Sequence, residues 1–321
     1  MDPAHHVECA IGTLSRLPVL IETAGFRTRR IPRACVIIPG FGAPEVETKT
    51  RLLYKNIRCI RSTLPMTWLL VIFVSCYSEE ARSVFRSTAL PSLPSTWWFV
   101  RFQPSFMGEF FLSDLRPETI LDPFIAGMND RLADGPIMIL LDDVELVDGF
   151  HIGRMYRTLL VHDLHILSPV IDRSSASGHK FMFALWPPSE RVFRRTNYAE
   201  MFFYMMTVHG YRKWHALLHP MTVFMWGIDM ILYPRGLRIG IDETFTVQHH
   251  FCSKLSGSPH YRKMQAELRM YSSKNPDNIK FKFKNLWIEK TGEDAQRLIL
   301  IDPYRINPRY EKLERITHEH T

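Results

Sequence analysis

The first half of the chain contains four short runs in which nearly every position is apolar. They cover residues 34–38, 68–76, 97–102 and 137–141, and the longest of them reads WLLVIFVSC. Runs of this length without a polar alternate position are typical of strands that are buried on both faces of a sheet. The pattern therefore predicts four buried strands in this half.

Amphipathic segments separate these runs. Apolar residues recur at helical spacing in GAPEVETKTRLLYKNIRCIRSTLP, and SEEARSVFRSTAL is a second predicted helix. Buried strands that alternate with amphipathic helices predict an α/β fold with a mixed, mostly parallel central sheet flanked by helices. In such sheets, ligands bind beyond the carboxyl ends of the strands.

The second half is richer in aromatic residues, methionine and histidine. The segments FFYMMTVHGYRKWHALL and YRKMQAELRMYSSKN are predicted helices, and KFKFK alternates like an exposed strand. The chain shows no repeat of 20 to 50 residues and no linker. We therefore predict a single domain over residues 31–321, preceded by an extension over residues 1–30.

Composition narrows the class of partner. The formal charge of +7 and the pI of about 9.2 favour anionic partners. Because lysine and arginine are spread along the chain, we expect phosphate-bearing small molecules and no nucleic acid.

The five cysteines lack a C-x-x-C spacing and indicate free thiols in a reducing compartment. No apolar run reaches the ~18 residues of a membrane span, so we expect a cytoplasmic protein.

The sharpest chemical feature is the acidic end of the fourth apolar run, IMILLDDVELVDG. Asp142 and Asp143 follow the run directly, and Glu145 comes two residues after Asp143. Neighbouring carboxylates repel one another and need a cation, and their oxygens suit Mg²⁺ or Mn²⁺, which bridge to phosphate oxygens. The alternative is an acidic turn that caps the next helix.

Two later segments carry further candidates. Asp229 lies in the apolar segment TVFMWGIDM, where a lone carboxylate has a raised pKa that suits a general base. The alternative is a helix N-cap. His249 and His250 end the stretch IGIDETFTVQHHF, and on a strand they would point to opposite sides, so that only one of them could serve a given metal. The alternative for these histidines is a structural role.

In their order along the chain, these segments resemble the GT-A-fold nucleotide-sugar glycosyltransferases. The resemblance covers roughly residues 33–252 and rests on ACVIIPGFG, GEFFLSDLRP, IMILLDDVEL, LSPVIDRSS, WGID and VQHH. It is closest to poorly characterised glycosyltransferase-like families of plants, bacteria and large DNA viruses. It implies a Rossmann-like GT-A domain and transfer of a sugar, from UDP as the commonest nucleotide, to a hydroxyl of a glycan or small-molecule acceptor.

The resemblance also implies the donor side of a site. The nucleotide would contact Pro39, Gly40, Phe41 and Gly42, and Asp142 would contact the ribose or the sugar. Mn²⁺ or Mg²⁺ would bind Asp143, completed by His249 or His250.

On the acceptor side, Asp229 would act as the base in an inverting mechanism. The sugar or acceptor pocket would be lined by Asp172, Trp226 and Gly227, with Glu109 on its donor side.

One departure from the family pattern affects the metal. The usual motif is Asp-x-Asp, whereas Leu141 precedes Asp142 here. Either the first acid is lost or the motif is shifted, so that Asp143 pairs with Glu145. Two other functions stay open: a metal-dependent phosphoester hydrolase, and a non-catalytic protein that binds nucleotides or nucleic acid.

Overall fold

The computed structural model describes residues 32–87, 93–102, 135–175, 179–185, 192–218, 227–250, 259–273 and 285–290. The strands in these segments are β1 (Arg33–Phe41), β2 (Leu69–Cys76), β3 (Thr96–Phe102), β4 (Ile137–Leu140), β5 (Val144–Leu146), β6 (Ile166–Ile171), β7 (Val192–Thr196), β8 (Phe203–Met206), β9 (Ile239–His249) and β10 (Asn285–Lys290). The α-helices are α1 (Val46–Thr63), α2 (Glu79–Ser87), α3 (Ile152–Val161), α4 (Val208–His215) and α5 (Pro259–Ser273), and 3-10 turns cover Lys180–Met182 and Ile228–Met230.

The described strands form one mixed sheet in the order β10-β7-β9-β6-β8-β4-β1-β2-β3, with β5 paired to β9. Strands β4, β1, β2 and β3 are parallel to one another, as are β6 and β9. The remaining pairs are antiparallel. The predicted α/β class, a mixed sheet flanked by helices, is confirmed.

The four apolar runs of the first half are all strands, and they form the parallel block β4-β1-β2-β3 at one end of the sheet. Every residue of β4 is buried, and β2 is buried except for Phe73. The first strand is longer than predicted, because β1 continues through Pro39 and Gly40 to Phe41. Its pairing with β2 shifts register between Ile38 and Phe41, at the point where proline cannot donate a hydrogen bond.

One prediction for the second half was wrong. FFYMMTVHGYRKWHALL is not one helix, because Phe203–Met206 form the buried strand β8 and helix α4 begins at Val208. Thr207 separates the two elements, and its side chain accepts a hydrogen bond from the Gly210 N–H as the N-cap of α4. The second predicted helix corresponds to α5. KFKFK and residues 1–30 lie outside the described residues.

The described cysteines agree with the expectation of free thiols. Cys35 and Cys76 are buried and Cys59 is partly buried. Burial raises the pKa of the Cys35 thiol far above its usual value, so that it is inert as a nucleophile. Within the segments described above, none of the helices is long and apolar enough to cross a membrane.

Helix α1 fixes the end of β4 through a buried side chain. Asn56 donates from Nδ2 to the Val144 carbonyl at 2.7 Å and accepts from the Leu146 N–H at 2.9 Å. Both backbone groups belong to β5, which follows the acidic residues directly. Asn56 therefore fixes the backbone of β5, immediately after Asp142 and Asp143 in the chain.

We predict that Asn56→Ala destabilises the protein, because it leaves two buried backbone groups without partners, at about 1–3 kcal/mol for each. Urea unfolding measures the loss. Ser62→Ala, an exposed change on the same helix, is the control and should change stability by less than about 0.5 kcal/mol. Equal stability of the two variants would contradict the role given to Asn56.

Candidate functional site

The carboxyl ends of four strands lie along one edge of the sheet. β4 is parallel to β1, β8 is antiparallel to both β4 and β6, and β9 is parallel to β6. Strands β1, β4, β6 and β9 therefore end at the same edge. This edge brings together Gly42, Asp142, Asp143, Asp172 and His249, which are far apart in sequence.

Asp142 connects the end of β4 to the segment after β1. Its carboxylate lies 2.9 Å from Lys49 Nζ in a salt bridge and accepts a hydrogen bond from the Gly42 N–H at 3.2 Å. Lys49 also donates to the Gly42 carbonyl at 3.0 Å. Burial raises the pKa of Asp142 to about 6, although Lys49 opposes that rise. With a side chain only 12% exposed, Asp142 holds the β1 segment in place.

The β1 segment packs tightly on Tyr77. A Cβ at Gly42 would lie 2.6 Å from the Tyr77 ring, so glycine is required there. The Tyr77 hydroxyl donates to the Ala43 carbonyl. Phe41 is fully buried against Phe85. Of the four residues expected to contact a nucleotide, Pro39, Phe41 and Gly42 are buried, and Gly40 is partly exposed.

Asp143 has one oxygen engaged and one oxygen unpaired. His249 Nε2 lies 2.9 Å from its Oδ2, whereas its Oδ1 is buried without a hydrogen-bond partner. A buried carboxylate oxygen without a donor is costly unless a cation or a ligand meets it. The structure thus brings together Asp143 and His249, two of the residues that the resemblance implies as metal ligands.

Few protein side chains are placed to bind a metal ion at this position. Among the described residues, no three His, Cys, Asp or Glu side chains converge on one point. Mg²⁺ keeps several waters and is bound through one or two carboxylates together with substrate phosphates. Asp143 and His249 therefore fit a cation that takes most of its ligands from phosphate and water.

Glu145 and His250 form a second pair. His250 Nε2 contacts one Glu145 oxygen at 2.5 Å, and Lys55 of α1 contacts the other. Burial pushes the pKa of Glu145 up, but the hydrogen bonds from Lys55 and His250 outweigh it and hold that pKa below its usual value. Both Glu145 oxygens are thus engaged away from Asp143, which favours His249 over His250 as its partner.

Asp229 lies within the 3-10 turn Ile228–Met230 rather than at the N-cap of a helix. Gly227, with φ at +95°, precedes it and packs against Leu268 of α5. Burial and the nearby Glu200 raise the pKa of Asp229 to about 7, while the Tyr198 hydroxyl, which donates to it, opposes the rise. The raised pKa that the apolar sequence context indicated is therefore present.

Glu200 is a site residue that the sequence patterns did not reveal. It accepts a hydrogen bond from the His179 N–H at 2.8 Å, and burial raises its pKa, although His249 opposes that rise. It precedes β8, and because β8 is antiparallel to β4, the start of β8 lies beside the end of β4. The available signal is an acid just before an antiparallel strand, but the sequence pattern predicts a helix over β8 and so hides this signal.

A buried ion pair holds the segment that carries His179. Arg194 of β7 lies 2.9 Å from Glu243 of β9, and both side chains are fully buried. Arg194 also donates to the carbonyls of Phe181 and Phe183 at 3.1 Å each. The pair therefore fixes residues 179–185 beside Glu200.

The turn after β6 lies against the end of β9. Asp172 accepts hydrogen bonds from the Ser174 N–H and hydroxyl, which hold its pKa below the usual value. Ser175 Oγ accepts from the His249 N–H at 3.0 Å. Asp172 thus shapes a turn beside the Asp143–His249 pair. Glu109 and Trp226 lie outside the described residues.

The sequence matches no protein-family model and no curated protein. Among solved structures, the chain is similar to the crystal structure of GalNAc-T7 with UDP, GalNAc and Mn²⁺, at a TM-score of 0.43 and 10% sequence identity. The match covers 78% of this chain and 52% of that one, so this chain spans about half the length of that protein.

We predict that Asp229→Asn stabilises the protein more at pH 8 than at pH 4. The folded-state pKa of about 7 lies above the ordinary value of 3.8, so below pH 4 both states are protonated and burial of the group costs little. Between about pH 4 and 7 the unfolded state loses the proton first, and folding weakens by up to roughly 1.4 kcal/mol per pH unit.

The measurement is urea unfolding of both proteins across this range, with the exposed-site change Glu79→Gln as control. The difference between wild type and Asp229→Asn should grow up to about pH 7 and then level off. A difference that does not depend on pH would show that Asp229 titrates normally.

Proposed function

We propose that this protein is a glycosyltransferase of the GT-A type that transfers a sugar from a nucleoside diphosphate to a hydroxyl group. The observation that carries the proposal is the division of roles between two adjacent carboxylates at the end of β4. Asp142 is neutralised by Lys49 and holds the β1 segment, whereas Asp143 pairs with His249 and keeps one buried oxygen unpaired.

The donor side would be formed by the end of β1 and by Asp143. The partly exposed backbone at Gly40 and Ala43 is available to the nucleotide, beside the end of β4. Asp143 and His249 would hold Mn²⁺ or Mg²⁺. When bound, such a cation neutralises the charge that develops on the leaving diphosphate.

The acceptor side would be served by Asp229. A carboxylate whose pKa is about 7 is partly ionised near neutral pH and is basic enough to accept a proton from a hydroxyl group. Tyr198 orients it by donating a hydrogen bond, and burial together with the like charge of Glu200 keeps its pKa high. Asp229 therefore combines burial, orientation and basicity, the properties of a general base.

The proposed reaction is a single displacement with inversion. The acceptor oxygen forms a bond to the anomeric carbon as the bond from that carbon to the diphosphate oxygen breaks. The acceptor proton passes to Asp229, and the nucleoside diphosphate leaves with the electron pair. UDP is the proposed nucleotide, and a glycan or small molecule is the proposed acceptor.

We predict that Asp229→Asn lowers kcat for sugar transfer by about 10²- to 10⁴-fold, because the amide cannot accept the proton. Affinity for the nucleoside diphosphate should be unchanged, since Asp229 belongs to the acceptor side. Product formation and calorimetric titration with UDP measure the two quantities. Asp148→Asn, a change at an exposed turn near the site, is the control and should behave like wild type. If Asp229→Asn also abolished nucleotide binding, Asp229 would be structural.

We further predict that Asp143→Asn removes the effect of Mn²⁺ on nucleotide binding while the fold survives. The variant keeps a hydrogen-bond acceptor for His249 but loses the charge that attracts a cation. Titration with UDP in Mn²⁺ and in EDTA should give a large difference in Kd for wild type and little difference for the variant. A metal effect that persists in Asp143→Asn would place the cation elsewhere.

The alternative function is tested by the same substrate. Hydrolysis of the nucleotide sugar by water that no acceptor accelerates would favour a phosphoester hydrolase instead.

A further inference from the structure

His165 lies at the amino-terminal edge of the sheet, opposite the candidate site. It directly precedes β6, and its backbone N–H donates to the carbonyl of Arg238 at 2.9 Å. Arg238 directly precedes β9, which is parallel to β6. The two residues therefore join the beginnings of two neighbouring strands.

The imidazole of His165 has a buried donor without an acceptor. The Arg238 N–H donates to Nδ1 at 2.8 Å, so Nδ1 carries no proton and the neutral ring carries its proton on Nε2. His165 is 1% exposed, and Nε2 has no hydrogen-bond partner among the described residues. A buried N–H in this state requires an acceptor, because such groups are nearly always paired in folded proteins.

Several cationic side chains lie on the elements next to the His165 ring, close enough for their charges to act on it. The His209 ring lies 5.4 Å from the His165 ring, and Lys213 follows His209 by one turn of α4. Arg195 of β7 pairs in register with Gly240, close to the start of β9. Burial, together with Arg238, Lys213, His209 and Arg195, lowers the pKa of His165 to about 3, which keeps the ring neutral.

Among the described residues, a single carboxylate, that of Asp163, contacts this group, and it leaves most of the positive charge uncompensated. Asp163 Oδ1 lies 2.6 Å from Arg238, with its own side chain largely exposed. In the described part of the chain, no carboxylate pairs with Arg195, His209 or Lys213. The beginning of α4 adds the positive end of a helix dipole beside His209.

We propose that this edge carries a binding site for a phosphate group, formed by His165, Arg195, His209, Lys213 and Arg238. The His165 Nε2–H donates to one phosphate oxygen, and Lys213 and Arg195 neutralise the charge. His209, which is exposed at the start of α4, donates to another phosphate oxygen. The site is separate from the proposed donor site, because the two lie at opposite edges of the sheet.

The test is a titration of the full-length protein, labelled with ¹⁵N at histidine, with inorganic phosphate at constant ionic strength. We expect the Nε2 signal of His165 to shift and saturate, and Lys213→Gln to raise the Kd about tenfold, the loss expected for one charge-assisted hydrogen bond. Arg195→Gln should do the same. Arg51→Gln, an exposed change in α1 that removes the same charge, should leave the Kd unchanged.

Two results would overturn the proposal. One is that the Nε2 signal of His165 does not shift when phosphate is added, and the other is that the shift gives the same Kd for phosphate in wild type and in Lys213→Gln. A parallel titration with vesicles containing phosphatidic acid identifies the source of the phosphate. Binding to vesicles that Lys213→Gln weakens would assign the site to a lipid headgroup. Binding to free phosphate alone would assign it to a soluble phosphate compound.

Discussion

The Lys49–Asp142 salt bridge joins three elements at the carboxyl edge of the sheet: α1, the end of β1 and the end of β4. Lys49 reaches both Asp142 and the Gly42 carbonyl, and the Gly42 N–H closes the group by donating to Asp142. A buried charge is tolerated only when it is paired and hydrogen-bonded, so loss of one partner leaves the other at high cost. The position of the β1 segment, and hence any nucleotide contact there, depends on this pair.

The same pair explains how two adjacent carboxylates can take different roles. Two like charges side by side raise the free energy of the site unless each finds a partner. Asp142 forms a salt bridge with Lys49, and this pairing offsets the cost of burying its charge. Asp143 finds His249 on one side only, and its other oxygen stays unpaired. The asymmetry leaves the unpaired oxygen on Asp143, and this is where we propose that the cation binds.

Strands β1, β2 and β4 could be predicted from sequence because they are buried on both faces and are therefore almost entirely apolar. Strand β8 could not be predicted, because a single residue separates it from α4 and the segment FYMM suits either a strand or a helix. Asp143, His249 and Asp229 could be predicted as candidates from acids and histidines at the ends of patterned segments. Lys49 was missed, although a lysine in register with the apolar residues of an amphipathic helix signals a buried ion pair.

Thermal unfolding of the protein with a panel of nucleoside diphosphates, each in Mn²⁺ and in EDTA, tests the central claim most directly. A ligand that binds only the folded state at ~100 times its Kd adds roughly 2.7 kcal/mol, which moves the midpoint by a few degrees. The account predicts such a shift with one nucleoside diphosphate, expected to be UDP, in Mn²⁺ and its loss in EDTA. No shift with any nucleotide under either condition would contradict it.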